Sequence, residues 1–482
     1  MNSFIKDTLF SGFVWIAIQT IGKKIISLVF QLILAWILLP EDFGKVSIAL
    51  AITGIIFIIQ NFGLLDVLIN RGRMFHYVFN LAKTMSLTAA CICLLFTLFA
   101  AYFAEWIYED VEIKYLILIS AISIPFSAMT VVADAKLKID LKFKELSQVY
   151  LIEFFIIQFG IILLVILDFG IYSFVIAPLV GIVFKYFWLH KLAKIDHFFK
   201  ITFHHWQYLF SNSFYNFIHS FLQTVIRQSD YLILALFVTE AEVGIYFMAY
   251  SLSVQVIGFL INSIGPVLFP SLMKIDSSDV TQIKRVLLKL TLIFIMLGMP
   301  FAFWQASIIK PFVLLVLEEK WYDSIQLIQI LSLGIGFNVV ASLWGPALRV
   351  KTQFKKQMKY SLICAIFFIT LITPLSYEYG TKGLAISVSL YYCITSPFLL
   401  YYSFKIYGVS LIEVLKPIFI GFIFTGFVFG SVFIFTEYYN LNLYMTLFLN
   451  GLLSPGIYFT LCYYKEPIFK EFMNDLKYKI NF

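Results

Sequence analysis

The sequence predicts an all-α, polytopic membrane protein of about fourteen transmembrane helices in two pseudo-symmetric six-helix lobes plus a C-terminal helix pair. Composition is the first reason: of 482 residues, 61% are apolar and only 13% charged, where a soluble domain carries roughly 25% charged residues. The second is that apolar runs recur from one end to the other, each near the ~20 residues a span requires. The third is the placement of lysine and arginine.

Reading apolar runs against loop charges places helices at 11–39, 44–69, 82–107, 113–135, 145–167, 169–190, 211–238, 243–270, 286–312, 324–348, 358–378, 383–404, 411–435 and 443–464. With a cytoplasmic N-terminus, the inward loops and tails hold 27 of the 35 lysines and arginines, including Arg71, Arg73, Lys83, Lys138, Lys185 and Lys284. The outward loops hold five: Lys45, Lys114, Lys310, Lys320 and Lys382. That is the positive-inside bias, and it puts both termini in the cytoplasm. The net charge of +7 therefore reads as topology and contact with membrane lipids, and no nucleic-acid partner is expected.

The stretch MNSFIKDTLFSGFVW lacks a basic leader and a small-residue cleavage site, so the first span is expected to insert the chain and remain in it. Cys91, Cys93, Cys364, Cys393 and Cys462 all lie inside apolar runs. They read as small apolar fillers, with no disulfide framework and no metal site. Outward loops such as EWIYEDVEIK and LEEKWYD are short and acidic, leaving no room for a large outer domain.

The chain also repeats itself. At an offset of 200, residues 19–50 fall on 219–250, Ala35 on Ala235 and Gly44 on Gly244. At an offset of 211, LKIDLKFKE (137–145) falls on LRVKTQFKK (348–356), Phe143 on Phe354. The expected domains are an N-lobe at 1–200, a C-lobe at 201–405 and an added pair with its tail at 406–482. Parallel repeats of this kind are an alternating-access architecture. The stretch 189–210, mixing Lys and His with aromatics, is expected to be an interfacial helix linking the lobes. Metal binding by the adjacent His204 and His205 is the weaker reading, because neighbouring histidines diverge on a helix.

No phosphate-binding loop, H-E-x-x-H or C-x-x-C is present, so no catalytic residue and no cofactor is assigned and the chain is not expected to be an enzyme. Charges within spans carry the chemistry instead: Lys23, Lys24, Asp66, Asp134, Glu153, Arg227 and Asp230. Asp134 is expected near an inner helix end in reach of water. Arg227 lies about 16 Å from the outer end of its helix, near mid-membrane. Through the repeat, Lys23 and Lys24 fall near the face equivalent to Arg227. Three cations lining a cleft suit a phosphate or diphosphate, since Arg offers a planar fork and Lys a mobile point charge. Asp230, Glu153 and Asp66 are the gating or ion-coupling candidates. The plainer account pairs Arg227 with Asp230 as a structural i,i+3 ion pair and lets the lysines reach inward to water. Amides in the first two helices of each lobe, Gln60 and Gln223 among them, suit a sugar or ordinary interhelical bonds.

The stretch 34–71, with Leu38 to Gly44, Gly63-Leu64 and Arg71, resembles the start of bacterial polysaccharide-export flippases of the multidrug/oligosaccharidyl-lipid/polysaccharide exporter superfamily. Residues 229–252, through Asp230, Gly244, Tyr246 and Ala249, follow a second pattern of that family. Trp36 stands where the family often has an Arg, so that role has no counterpart here. The resemblance implies a protein of the bacterial cytoplasmic (inner) membrane that flips undecaprenyl-diphosphate-linked oligosaccharide for O-antigen, capsule or exopolysaccharide synthesis. It also implies a polysaccharide polymerase and glycosyltransferases as neighbours. Competing readings are a cation-coupled multidrug or peptidoglycan-precursor exporter of the same superfamily, and a membrane polysaccharide polymerase or ligase.

Overall fold

The computed structural model describes residues 22–61, 64–70, 75–195, 202, 214–273 and 280–465. Among them all regular structure is helical, and ten helices are long and apolar enough to cross a membrane. The interfacial helix expected at 189–210 falls mostly outside the described residues, and so do His204 and His205.

The first compact unit comprises residues 1–244 with 361–365. Its helices are α1 (22–37), α2 (Pro40–Asn61), α3 (Leu64–Asn70), α4 (Phe75–Tyr108), α5 (Val111–Ala121), α6 (Ser123–Ile139), α7 (Phe143–Ile166), α8 (Ser173–Ala193) and α9 (Phe214–Leu234). Apolar side chains from α3, α4 and α6 form one core around Leu68, Ala82 and Val132. A second joins α6, α7 and α8 through Leu137, Val149 and Leu189. Small residues set the helix spacing, as is usual where lipid removes the hydrophobic drive between helices. A Cβ on Gly160 would sit 3.1 Å from Ala177, and one on Gly181 would sit 2.7 Å from Ile157. This close approach brings α7 and α8 side by side.

The second unit comprises residues 245–360 and 366–482. It holds most of α10 (Glu240–Met273), then α11 (Val280–Val316), α12 (Ser324–Ala341), α13 (Trp344–Val350), most of α14 (Phe354–Phe404), α15 (Leu411–Tyr438), α16 (Leu443–Phe448) and α17 (Ser454–Lys465). The break expected between 378 and 383 in α14 is a single residue, Gly380, whose φ of 57° and ψ of −137° suit glycine. A five-residue π-turn, Leu449–Leu453, joins α16 to α17. Pro455 follows it and has no N–H to give the Gly451 carbonyl four residues back. The Trp304 indole fills that vacancy, Nε1 donating to Gly451 O at 3.0 Å.

Several helices run past their apolar stretches at the end expected to face the cytoplasm, which changes where some charges sit. Lys83, expected in an inner loop, is buried within α4 with its ammonium 4.8 Å from the Phe79 ring, a cation–π placement that offsets part of its desolvation. Asp134, expected to reach water, is 8% exposed and pairs with Lys138 at 3.2 Å, one turn along α6. Long side chains let helix ends hold charge that a hydropathy profile assigns to loops.

The two offsets recur in local geometry. Leu39 N donates to Asp42 Oδ2 at 2.8 Å, and Thr239 N to Glu242 Oε2 at 3.0 Å, the same cap 200 residues on. Before α7, Leu141 takes a φ of 57° and Lys142 N donates to Leu137 O at 2.9 Å. Before α14, Thr352 takes a φ of 53° and Gln353 N donates to Leu348 O at 3.0 Å, each 211 residues on.

Trp304→Phe should lower the unfolding temperature in detergent while keeping an aromatic ring in place, because the Gly451 carbonyl loses its donor at about 1–3 kcal/mol. Phe301→Leu, which removes the ring packed edge-on against Trp304 and leaves the indole bond intact, should show the milder effect in the same thermal scan.

Candidate functional site

The charges within spans do not form one cluster. Lys23 and Glu153 meet in the wall of the first unit. The Lys23 ammonium donates to Tyr150 O at 3.0 Å and lies 5.6 Å from the Phe154 ring, within electrostatic reach of Glu153. The Glu153 carboxylate pairs with Lys185 Nζ at 3.1 Å, the two side chains 15% and 18% exposed. Lys185 also lies 4.5 Å from the Tyr150 ring. Lys24, the next residue on α1, is half-buried.

The local reason is the glycine contact between α7 and α8. Gly181 sits one turn before Lys185, and Ile157, which it touches, one turn after Glu153. Bringing these backbones together leaves the acid and the base facing each other. Glu153 is about 15 Å from the start of α7 and Lys185 about 18 Å from the start of α8, at 1.5 Å per residue. Both lie near mid-membrane, where an unpaired charge is costly. A second carboxylate, Asp134, acts on Glu153 and Tyr150 in the same wall and is paired with Lys138, so three lysines face two carboxylates and the group carries an excess of positive charge.

Arg227 and Asp230 diverge. Ile226, Asp230 and Leu234 recur at every fourth residue of α9 and are all buried, Asp230 to 1% exposure. Asp230 Oδ1 accepts from Tyr231 N at 2.9 Å. Arg227 lies outside that stripe and is exposed, donating to Thr224 Oγ1 at 3.4 Å. No ion pair joins Arg227 to Asp230. The i,i+3 pair of the plainer account is not formed. The Asp66 side chain lies outside the described residues.

Of the amides, Gln60 donates to Ile124 O at 2.8 Å and serves helix packing. Gln223 donates to Ser361 Oγ at 3.4 Å, beside His219, whose Nδ1 is 2.6 Å from the same hydroxyl. Sequence reasoning missed His219 as a polar group and Lys185 as a membrane-depth cation. Lys185 stands in IVFKYFW with apolar residues on both sides, the same signal that singled out Arg227.

Comparison with known proteins places this arrangement. Residues 33–326 match the family of polysaccharide biosynthesis proteins. The chain belongs to that family. It is 25% identical over 219 residues to an uncharacterized membrane protein in the cps region of Klebsiella pneumoniae, a match covering 45% of this chain and 44% of the relative. The chain thus spans under half the length of that curated relative. Among solved structures, the lipid II flippase MurJ in an inward closed conformation is similar at a TM-score of 0.72 and 17% identity, over 93% of this chain and 99% of that one. A Vibrio cholerae MATE transporter is similar at a TM-score of 0.57 and 12% identity, over 84% and 98%. A MATE transporter of the MOP superfamily, inward-facing, scores 0.53 at 14% identity, over 81% and 98%. The protein is a multi-pass membrane protein of the polysaccharide biosynthesis family, with the fold shared by MurJ and the MATE transporters.

Glu153→Gln should destabilise the protein by about 3 kcal/mol, because removing one partner leaves the other a poorly compensated charge at membrane depth. Thermal unfolding in detergent measures it, and the exchange Glu153→Lys with Lys185→Glu should recover most of the loss.

Proposed function

We propose that the protein flips undecaprenyl-diphosphate-linked oligosaccharide from the inner to the outer leaflet by alternating access, through fourteen crossings with both termini cytoplasmic. The observation that carries the reading is the excess positive charge within the spans of the first unit: Lys23, Lys138 and Lys185 against two carboxylates, Glu153 at 3.1 Å from Lys185 and Asp134 at 3.2 Å from Lys138. A diphosphate supplies the charge that such a group lacks, and lysine ammoniums can turn from a backbone carbonyl to a phosphate oxygen. Lys24 and the exposed Arg227 add cations on the same unit. Arg227, with only a weak hydroxyl contact at 3.4 Å, has its planar fork available for phosphate.

The polar head travels through the protein while the polyprenyl tail stays in lipid, so no large loop is needed to bind substrate. Two six-helix lobes, 1–200 and 201–405, do the alternating, and 406–482 is an addition to them. The protein performs no bond chemistry: a polymerase and glycosyltransferases would make and extend the glycan on either side of the transfer. Asp230, Glu153 and Asp66 are the groups through which an ion gradient would drive it. A drug exporter for cationic compounds is disfavoured by the lysines at 23 and 185, which would repel such cargo.

The test is the leaflet distribution of the lipid-linked oligosaccharide. Cells lacking the protein should accumulate it on the inner leaflet, and wild type should relieve this. Arg227→Ala, normally inserted, should relieve it at least tenfold less well, and Lys23→Gln should act in the same direction. Arrival of the lipid-linked sugar at the outer leaflet without the protein would sink the reading.

A further inference from the structure

The outer ends of α2 and α10 meet within the first unit in a reciprocal contact. A Cβ on Gly44 would overlap the Glu240 carbonyl, and one on Gly244 would overlap the Pro40 carbonyl. At the offset of 200, each glycine touches the partner of the other. Only residues without a side chain allow backbones so close.

Above this contact lies one ammonium among four carboxylates. Lys45 Nζ is 2.7 Å from Glu112, 3.0 Å from Asp110, 3.2 Å from Glu41 and 3.6 Å from Glu240, with the lysine side chain 12% exposed. These acids come from α2, from α5 and its cap, and from the start of α10. Tyr172, ahead of α8, lies in the field of Glu112, Asp110 and Lys45. On α10 itself Glu242 is held by Thr239, and on α2 Asp42 caps Leu39. Lys45 is the base that acts on Glu240.

We propose that this is a proton-sealed latch, in which a protonated Glu240 donates a hydrogen bond to Asp110 and, with Lys45, holds the outer turns 38–45 and 238–244 together.

Four carboxylates around one cation at this distance repel one another, and that repulsion favours one of them keeping its proton. The surroundings choose Glu240. Burial first, and then the Asp110 charge, push its carboxyl up to about 7. Burial would raise Asp110 too, but the Lys45 bond and the N–H groups of Ile113 and Glu112 outweigh it and hold that carboxyl below its usual range. When the turns part, Glu240 meets water and returns to an ordinary glutamate value near 4.5. The closed form thus binds the proton more tightly, so acid favours closure. The seal is present below about 4.5, weakens as pH rises through about 7, and is lost above it. Facing outward, the latch would respond to the proton-rich side of the membrane and bias the protein towards its outward-closed form. That consequence rests on the transporter reading, whereas the chemistry of the latch does not.

The experiment places a reporter thiol beneath the contact. Ser47 is 1% exposed and its hydroxyl donates to Gly44 O at 2.8 Å. Ser47→Cys, in a chain whose five native cysteines are replaced by serine or alanine, is reconstituted without substrate in vesicles and selected for outward orientation. A membrane-impermeant thiol reagent is applied between pH 5.5 and 8.5, each rate divided by that of the same thiol in unfolded protein. The expected result is labelling at least fivefold faster at pH 8.5 than at 5.5. Glu240→Gln, which keeps a donor for Asp110, should label slowly at every pH, whereas Glu112→Gln should keep the pH dependence. A flat profile in the parent, or an unchanged slope in Glu240→Gln, overturns the latch. Because no lipid-linked sugar is present, failure of the flippase reading would leave these rates unmoved, and failure of the latch would leave the leaflet assay unmoved.

Discussion

Inside the hydrocarbon core no water solvates a peptide carbonyl or an ammonium, and the particular features of this chain are answers to that constraint. A proline that removes an N–H must be matched by another donor, which is the task of Trp304 at Gly451. A charge at depth must find an opposite charge, a carbonyl or an aromatic face. Lys23 takes the Tyr150 carbonyl, Lys185 takes Glu153 and Lys83 takes the Phe79 ring. The cost of these placements is met by short contacts between helices, and those contacts need glycine. Gly160 and Gly181 therefore belong to the chemistry of Glu153 and Lys185 as much as to the packing of α7 on α8.

The helical class and most element positions were legible because lipid imposes a simple code of length and apolarity. The repeat was legible at its turns, and for a physical reason. A cap or a left-handed residue depends on a few backbone angles and one side chain, so it recurs where sequence identity between the repeats is weak. The bonds at Leu39 and Thr239, and the positive φ at Leu141 and Thr352, carry that record. Helix ends were less legible. Hydropathy assigned Lys83 to a loop and Asp134 to water, because it weighs a long or paired side chain by its charge and not by the partner it reaches.

The candidate site was legible only in part. Arg227, Lys23, Lys24, Glu153 and Asp230 stood out as charges in apolar surroundings, and spacing suggested that Arg227 and Asp230 share a face. Spacing gives an angle around the helix; it does not say where the neighbours end. α9 buries its stripe at 226, 230 and 234, and the edge of that stripe falls between Asp230 and Arg227. The partnership of Glu153 with Lys185, thirty-two positions apart in sequence, depends on how two helices are set by a glycine. No local pattern encodes it. The Lys45 group is of the same kind, since its carboxylates come from three separate stretches.

The reciprocal glycines have a consequence for how this chain can change over time. Most tight packing contacts can be repaired after a substitution by a smaller residue opposite. Here the opposing atoms are backbone carbonyls, of Glu240 and of Pro40, which no codon can shrink. Nor can Gly44 and Gly244 relieve one another, being already without side chains. The charged groups around them are not so bound: position 45 is lysine where 245 is isoleucine, and position 41 is glutamate where 241 is alanine. The two repeats thus differ in charge on a backbone fit that offers neither of them a compensating move.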